Sequence, residues 1–252
     1  MNGYKLVYIL LVNILIIILF NWLFYGQLSH HLLQQLEVII SANLVIYAIQ
    51  ISCTYYLLQT ERYIVTEPLQ RKPILFAFGA MILVHILTAI SIFSFSSPSL
   101  LSDPLWRMEL FLVRFFLYIL PAAFIEEFLF RYFPYRYSQS LEPLVPFPLF
   151  FCITILFALV DIPASIFHYN LATETILKYV CIDFGIGLSL LMIYMLTKNL
   201  FFTALCNALN QEPFFPFDSP YNYQSFYASI FLVSVVWALL NLRNKRKSVA
   251  IS

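Results

Sequence analysis

Apolar runs of about twenty residues recur along the chain and are separated by short polar connections. A bilayer core about 30 Å thick takes about 20 apolar residues as an α-helix. The pattern predicts spans at 6–25, 38–59, 74–95, 106–137, 145–163, 174–197, 199–215 and 223–242, the seventh short and interrupted. The apolar run from Leu6 to Phe24 follows Lys5. It is longer than the apolar region of a signal peptide and lacks a small-x-small cleavage site, so it reads as a retained first span. The basic residues sort the connections. Lys5, Arg62, Arg71, Lys72, Arg131, Arg136, Lys198, Arg243, Lys245, Arg246 and Lys247 fall on one side, and the connections at 26–37, 96–105, 164–173 and 213–222 hold no Lys or Arg. By the positive-inside rule both termini are then cytoplasmic. The expected fold is all-α, a polytopic bundle of about eight transmembrane helices in a single integral-membrane domain over 1–252. The polar, proline-bearing segments 60–73 and 96–105 are its candidate hinges. Tyr132, Phe133, Tyr135 and Tyr137 suit a membrane interface.

Composition narrows the function classes. Of 252 residues, 62% are apolar and 11% charged, against about 25% charged in soluble domains, so the lipid bilayer is the first partner. A net charge of +1 gives no basic surplus for a nucleic acid. Five glycines, with no Gly-rich loop beside a lysine, argue against a phosphate cradle. Cys53, Cys152, Cys181 and Cys206 lie far apart in apolar runs and read as small buried hydrophobes.

Ionisable and amide residues inside spans carry the remaining information, because they are costly in lipid and face the bundle interior. They are Arg114, Glu126, Glu127 and Arg131 in the fourth span, Asp161 in the fifth, Asp183 in the sixth, and Asn207, Asn210 and Gln211 in the seventh; His85 stands in the third. Glu126 and Glu127 point about 100° apart on a helix, and Glu127 precedes Arg131 by four residues, the favourable order for an ion pair. That arrangement reads either as an ion pair ordering the bundle or as a general base with a partner that fixes its neighbour. Counted from the same side, Glu126 lies roughly 16 Å, Asp161 roughly 24 Å and Asn207 roughly 12 Å deep, so one shared polar site is permitted. Asn207 and Gln211 share a helix face, the placing of amides that glue helices together. Asp183 is expected to pair with Arg114. His85 reads as a satisfied interior histidine, and His30, His31 and His168 as side chains of outer connections.

Three motif frames in order resemble the CPBP family, the CAAX-protease and bacteriocin-processing (Abi) intramembrane proteases. Glu126-Glu127-Phe128-Leu129-Phe130-Arg131 is similar to its Glu-Glu-x-x-x-Arg; Phe157-Ala158-Leu159-Val160-Asp161 resembles its Phe-x-x-x-His, with Asp for His; and Asn207-Ala208-Leu209-Asn210-Gln211 resembles His-Ala-Leu-Asn-Asn. The stretch from Phe184-Gly185-Ile186-Gly187 to Leu200 is also similar. The motifs cover about 120–211, and the family-like core is expected at about 106–215. The resemblance implies an eight-helix bundle opening a polar cavity, with a glutamate and histidines activating water at or near a divalent metal, zinc in this family, to cut a membrane-associated peptide. Carried over by position, Glu126 is the base, Glu127 and Arg131 shape the site, Gln211 takes the oxyanion-stabilising place, and Asp161 and Asn207 take the two histidine, metal-ligating places. A multi-pass protein of a bacterial cell membrane is the expected setting.

The two departures bear on the chemistry. Zinc favours imidazole and thiolate. Asp161 is an oxygen ligand that brings a further negative charge beside two glutamates, and Asn207 is an uncharged donor unable to act as acid or base. Such an all-oxygen set suits Mg²⁺, Ca²⁺ or Mn²⁺ better than zinc. Gln211 retains an amide donor. Two readings stand: an intramembrane metallo-endopeptidase with a modified site, and a non-catalytic relative that binds a membrane peptide or protein through the family cavity. A small transporter is a distant third, since no inverted repeat is apparent.

Overall fold

The computed structural model describes residues 3–25, 36–58, 71–96, 99–100, 104–138, 146–167, 169–213, 215 and 217–249. His30, His31 and His168, most of the candidate hinge at 60–73 and half of that at 96–105 lie outside them. The described chain is helical apart from one two-residue antiparallel bridge. Helix α1 (Gly3–Phe20) ends in a π-turn (Asn21–Tyr25), followed by α2 (Leu36–Leu58), α3 (Arg71–Phe95) and strand β1 (Ser99–Leu100). A continuous helical run comes next: α4 (Pro104–Arg114), a π-turn (Phe115–Ile119), α5 (Leu120–Glu127), a second π-turn (Phe128–Tyr132) and α6 (Phe133–Ser138). It leads to α7 (Pro146–Leu159), α8 (Ile162–Phe167), α9 (Thr173–Thr197), α10 (Leu200–Gln211), strand β2 (Phe217–Asp218) and α11 (Asn222–Val249). The strands pair Ser99 with Asp218 and Leu100 with Phe217, tying the end of α3 to the start of α11.

Among the described residues six stretches are long and apolar enough to cross a bilayer: Lys5–Phe24, Glu37–Leu58, Arg71–Phe95, Pro148–Phe167, Thr173–Thr197 and Asn222–Arg243. They coincide with six of the eight expected spans. The other two differ in kind. The fourth is helical throughout, yet both π-turns precede a proline by the same interval, Pro121 and Pro134. A proline removes a backbone donor and its ring crowds the carbonyl four residues back. The helix widens just before it, with Leu120 N–H donating to Phe115 O and Phe133 N–H to Phe128 O. The seventh is a 12-residue helix, about 18 Å long and too short to cross the apolar core.

Burial follows membrane logic. On α2 the polar Asn43, Gln50 and Thr54 are buried, whereas Leu44, Val45, Ile49 and Tyr56 face outward. Asn13 on α1 donates to Thr54 Oγ1 at 3.1 Å and to its own Ile9 carbonyl at 2.9 Å, which joins the first two spans by hydrogen bonding. Helix α10 is the centre of the bundle, with every residue from Phe202 to Leu209 buried. A tight turn sets its entry. Lys198 adopts φ 54°, closing α9, and its ammonium sits 3.8 Å from the Tyr135 ring centroid. Asn199 then caps α10, its Oδ1 accepting from Phe202 N–H at 3.0 Å and its Nδ2 donating to Pro73 O at 2.9 Å.

Candidate functional site

The second π-turn builds the first half of the site. It inserts an extra residue per turn just after Glu126 and Glu127, and it carries Arg131. Arg131 Nη1 lies 3.3 Å from Glu127 Oε1, and both side chains are buried. The guanidinium lies over the Phe157 ring at 3.8 Å, and Nη2 donates to Gly187 O at 3.4 Å. Gly187 permits this approach: a Cβ there would stand 2.9 Å from Phe157 and 3.0 Å from Thr154. Arg131 is thus locked between three elements with its charge turned toward Glu127. Glu127 Oε2 and Arg131 Nη1 have no hydrogen-bond partner, so the pair is held by charge and packing and not by a complete donor–acceptor set.

Glu126 faces the other way. Asn207 Nδ2 donates to Glu126 Oε2 and to Glu127 Oε1, each at 3.0 Å, bridging the two carboxylates. Gln211, one turn later on α10, donates to the same Glu126 oxygen at 3.3 Å and lies 3.5 Å from Asn207 Oδ1. The fourth and seventh elements therefore meet as their depths permit, and Glu126, Glu127, Arg131, Asn207 and Gln211 form one network. Asp161 occupies the turn between α7 and α8, where its carbonyl accepts from Ser165 N–H at 2.9 Å. Its carboxylate is exposed, faces the same space, and acts on Glu126 and Asp183 through charge.

That space is a cavity of about 560 Å³, within the usual range for ligand sites. Glu126, Asn207 and Gln211 form one wall and Asp161 and Asp183 another, while Tyr169 and Tyr179, both largely exposed, mark the rim. Asn21, Asn43 and Gln50 of the first two helical segments complete it. This amide wall escaped the sequence reading, although Asn43, Tyr47, Gln50 and Thr54 recur at helical spacing on one face of α2 and carried the signal. Asp183 is not partnered by Arg114 as expected. Arg114 reaches Glu212 at 3.1 Å, because α4 lies against the C-terminal end of α10, and Asp183 is left on the cavity wall. His85 holds Met81 O at 2.9 Å and packs edge-on against Phe226, an interior histidine far in sequence from the motifs. The four cysteines are free.

The donor set does not suit zinc. Among the described residues no three His, Cys, Asp or Glu side chains are placed to share an ion. Asn207 presents its amide nitrogen, a donor, to both carboxylates, and Gln211 does the same to one. At the two positions where the resemblance implies imidazoles, the chain therefore offers one carboxylate across the cavity and one N–H₂ group.

Residues 108–211 match the model of the Rce1-like family, described as type II CAAX prenyl endopeptidase Rce1-like. Over these residues the chain is similar to that family. No curated protein sequence and no solved structure matches the chain. The match begins within α4 and ends at the last residue of α10. It contains the whole Glu126–Arg131–Asn207–Gln211 network, Asp161 and Asp183. The amide wall of Asn21, Asn43 and Gln50 lies outside it, so the cavity joins the matched region to the preceding spans.

Proposed function

We propose that this multi-pass membrane protein keeps the Rce1-like cavity as a binding site for a membrane-associated peptide or protein segment, without a metal-dependent peptidase centre. The observation that carries this reading is the Asn207 bridge: one amide nitrogen holds both carboxylates of the Glu-Glu motif. An imidazole there would supply a metal ligand or a proton carrier; an amide N–H₂ supplies neither. Asn207 and Gln211 instead fix the carboxylates as acceptors, and Arg131 neutralises Glu127 from behind. The pre-formed cavity, largely apolar with a few polar groups on its walls, remains available to a chain segment held at the membrane. The test incubates the full-length protein in lipid nanodiscs with a fluorescent lipidated peptide and follows anisotropy and mass spectra together. Saturable binding with no cleavage is the expected result. Turnover abolished by Glu126→Gln would overturn the reading.

A second reading is favoured by one feature. Glu126 and the Gln211 amide border the same cavity, with Gln211 Nε2 3.3 Å from Glu126 Oε2. In that reading a water proton passes to Glu126, the hydroxide adds to the scissile carbonyl, and Gln211 donates to the resulting oxyanion; collapse of that intermediate then breaks the C–N bond as Glu126 returns the proton to the leaving amine. Glu127 and Arg131 hold the helix in register, and no zinc is required of Asp161 or Asn207. Cleavage dependent on both Glu126 and Gln211, and resistant to chelators, would establish it in place of the first.

A further inference from the structure

The cavity is electrostatically one-sided. Among the described residues Glu126, Asp161 and Asp183 line it, and no Lys, Arg or His does. Arg131 and Arg114 are engaged elsewhere, Arg131 with Glu127 and Arg114 with Glu212. Carboxyl groups at membrane depth are costly and are kept where a counter-charge meets them. A second, independent feature stands on α2. Gln50 is only 3% exposed and lines the cavity, and its Nε2 has no hydrogen-bond partner. A buried donor left in this way costs about 1–3 kcal/mol until an acceptor reaches it. The site thus lacks a positive group for its carboxylates and an acceptor for Gln50.

We infer that the cavity selects a peptide carrying a basic side chain, whose ammonium or guanidinium settles among Asp161, Asp183 and Glu126 while a neighbouring backbone carbonyl accepts from Gln50. This rests on the reading of the cavity as a peptide-binding site and names the chemistry it prefers. A small amine offers the charge without the carbonyl and satisfies one wall only. A free C-terminal carboxylate brings like charge to three acidic groups and is disfavoured, whereas a basic residue inside a chain satisfies both walls.

The test uses full-length protein in nanodiscs of neutral lipid, which removes attraction to the membrane surface. The probes are a fluorescent, lipidated, C-terminally amidated peptide containing two lysines, the same peptide with norleucine in their place, and butylamine as competitor. The lysine peptide is expected to bind on the order of tenfold more tightly than its norleucine twin, equivalent to about 1.4 kcal/mol. Asp161→Asn with Asp183→Asn abolishes that preference, while Asp161→Glu, which retains charge and guards against a folding defect, keeps most of it. Gln50→Leu weakens both peptides alike and leaves butylamine competition unchanged. Equal binding of the two peptides, or a preference surviving the double Asp→Asn change, overturns this inference and leaves the binding reading standing. No binding of either peptide overturns both.

Discussion

Arg131 provides the sharpest test of how the site is held. It is 1% exposed and lies 3.3 Å from a Glu127 that is 0% exposed, and its remaining contacts are the Phe157 face and the Gly187 carbonyl. Replacing it by methionine preserves much of the apolar stem and removes the charge. Glu127 would then be buried with only the Asn207 hydrogen bond, and breaking one side of a buried ion pair costs about 3–5 kcal/mol. In a chain of this size each kcal/mol moves the midpoint by about 2–4 °C, so Arg131→Met should melt roughly 6–20 °C lower. The double change Glu127→Gln with Arg131→Met removes both charges and should recover most of that loss, because an amide can still accept from Asn207. Thermal unfolding followed by intrinsic fluorescence in one detergent reads both variants. The reasoning is refuted if the double variant is as unstable as the single, or if Arg131→Met melts with the wild type.

Other consequences follow from the same packing. Gly187→Ala places a Cβ 2.9 Å from Phe157 and should cost about 1–3 kcal/mol by overpacking, visible as a lower melting point; an unchanged one would show that α7 and α9 are not in contact there. Asn199→Ala removes the cap of α10 and its tie to Pro73, with an expected loss of about 1 kcal/mol read in the same assay. Asn207→Leu strips the shared donor from two carboxylates and should both lower stability and weaken peptide binding, whereas Ser91→Ala, which removes the hydrogen bond to Ser225 away from the cavity, should leave binding intact. For orientation, the positive-inside rule predicts a cytoplasmic C-terminus: in a cysteine-free background Ser248→Cys should resist an impermeant thiol reagent on intact cells and Tyr169→Cys should react.

Much of this arrangement was legible in the chain because lipid makes the pattern coarse. Uninterrupted apolar length marks α1, α2, α3 and α9 within a few residues, and the start of α11, which runs on past its expected end to Val249; costly polar groups inside spans point to Glu126, Glu127, Arg131, Asn207 and Gln211. Spacing alone brought the two halves to compatible depths, and the structure joins them through Asn207. Other features depend on tertiary packing. The proline-linked π-turns turn Arg131 away from the cavity, and no helical period anticipates a widened turn. The partner of Arg114 depends on where α4 meets the end of α10, which is why Glu212 and not Asp183 takes it. The amide wall was overlooked for another reason: Asn43, Gln50 and Thr54 are uncharged and lie far from the motif frames, although their period is regular.

The central claim is that the Glu-Glu network has become an amide-held binding wall and not a metal centre. It is tested most directly by zinc titration calorimetry on the chelator-treated full-length protein, comparing wild type with Asp161→His combined with Asn207→His. The account predicts no stoichiometric zinc binding by the wild type and its appearance in the double variant, where imidazoles return to the cavity beside Glu126. Stoichiometric zinc bound by the wild type and lost in Glu126→Gln would contradict it.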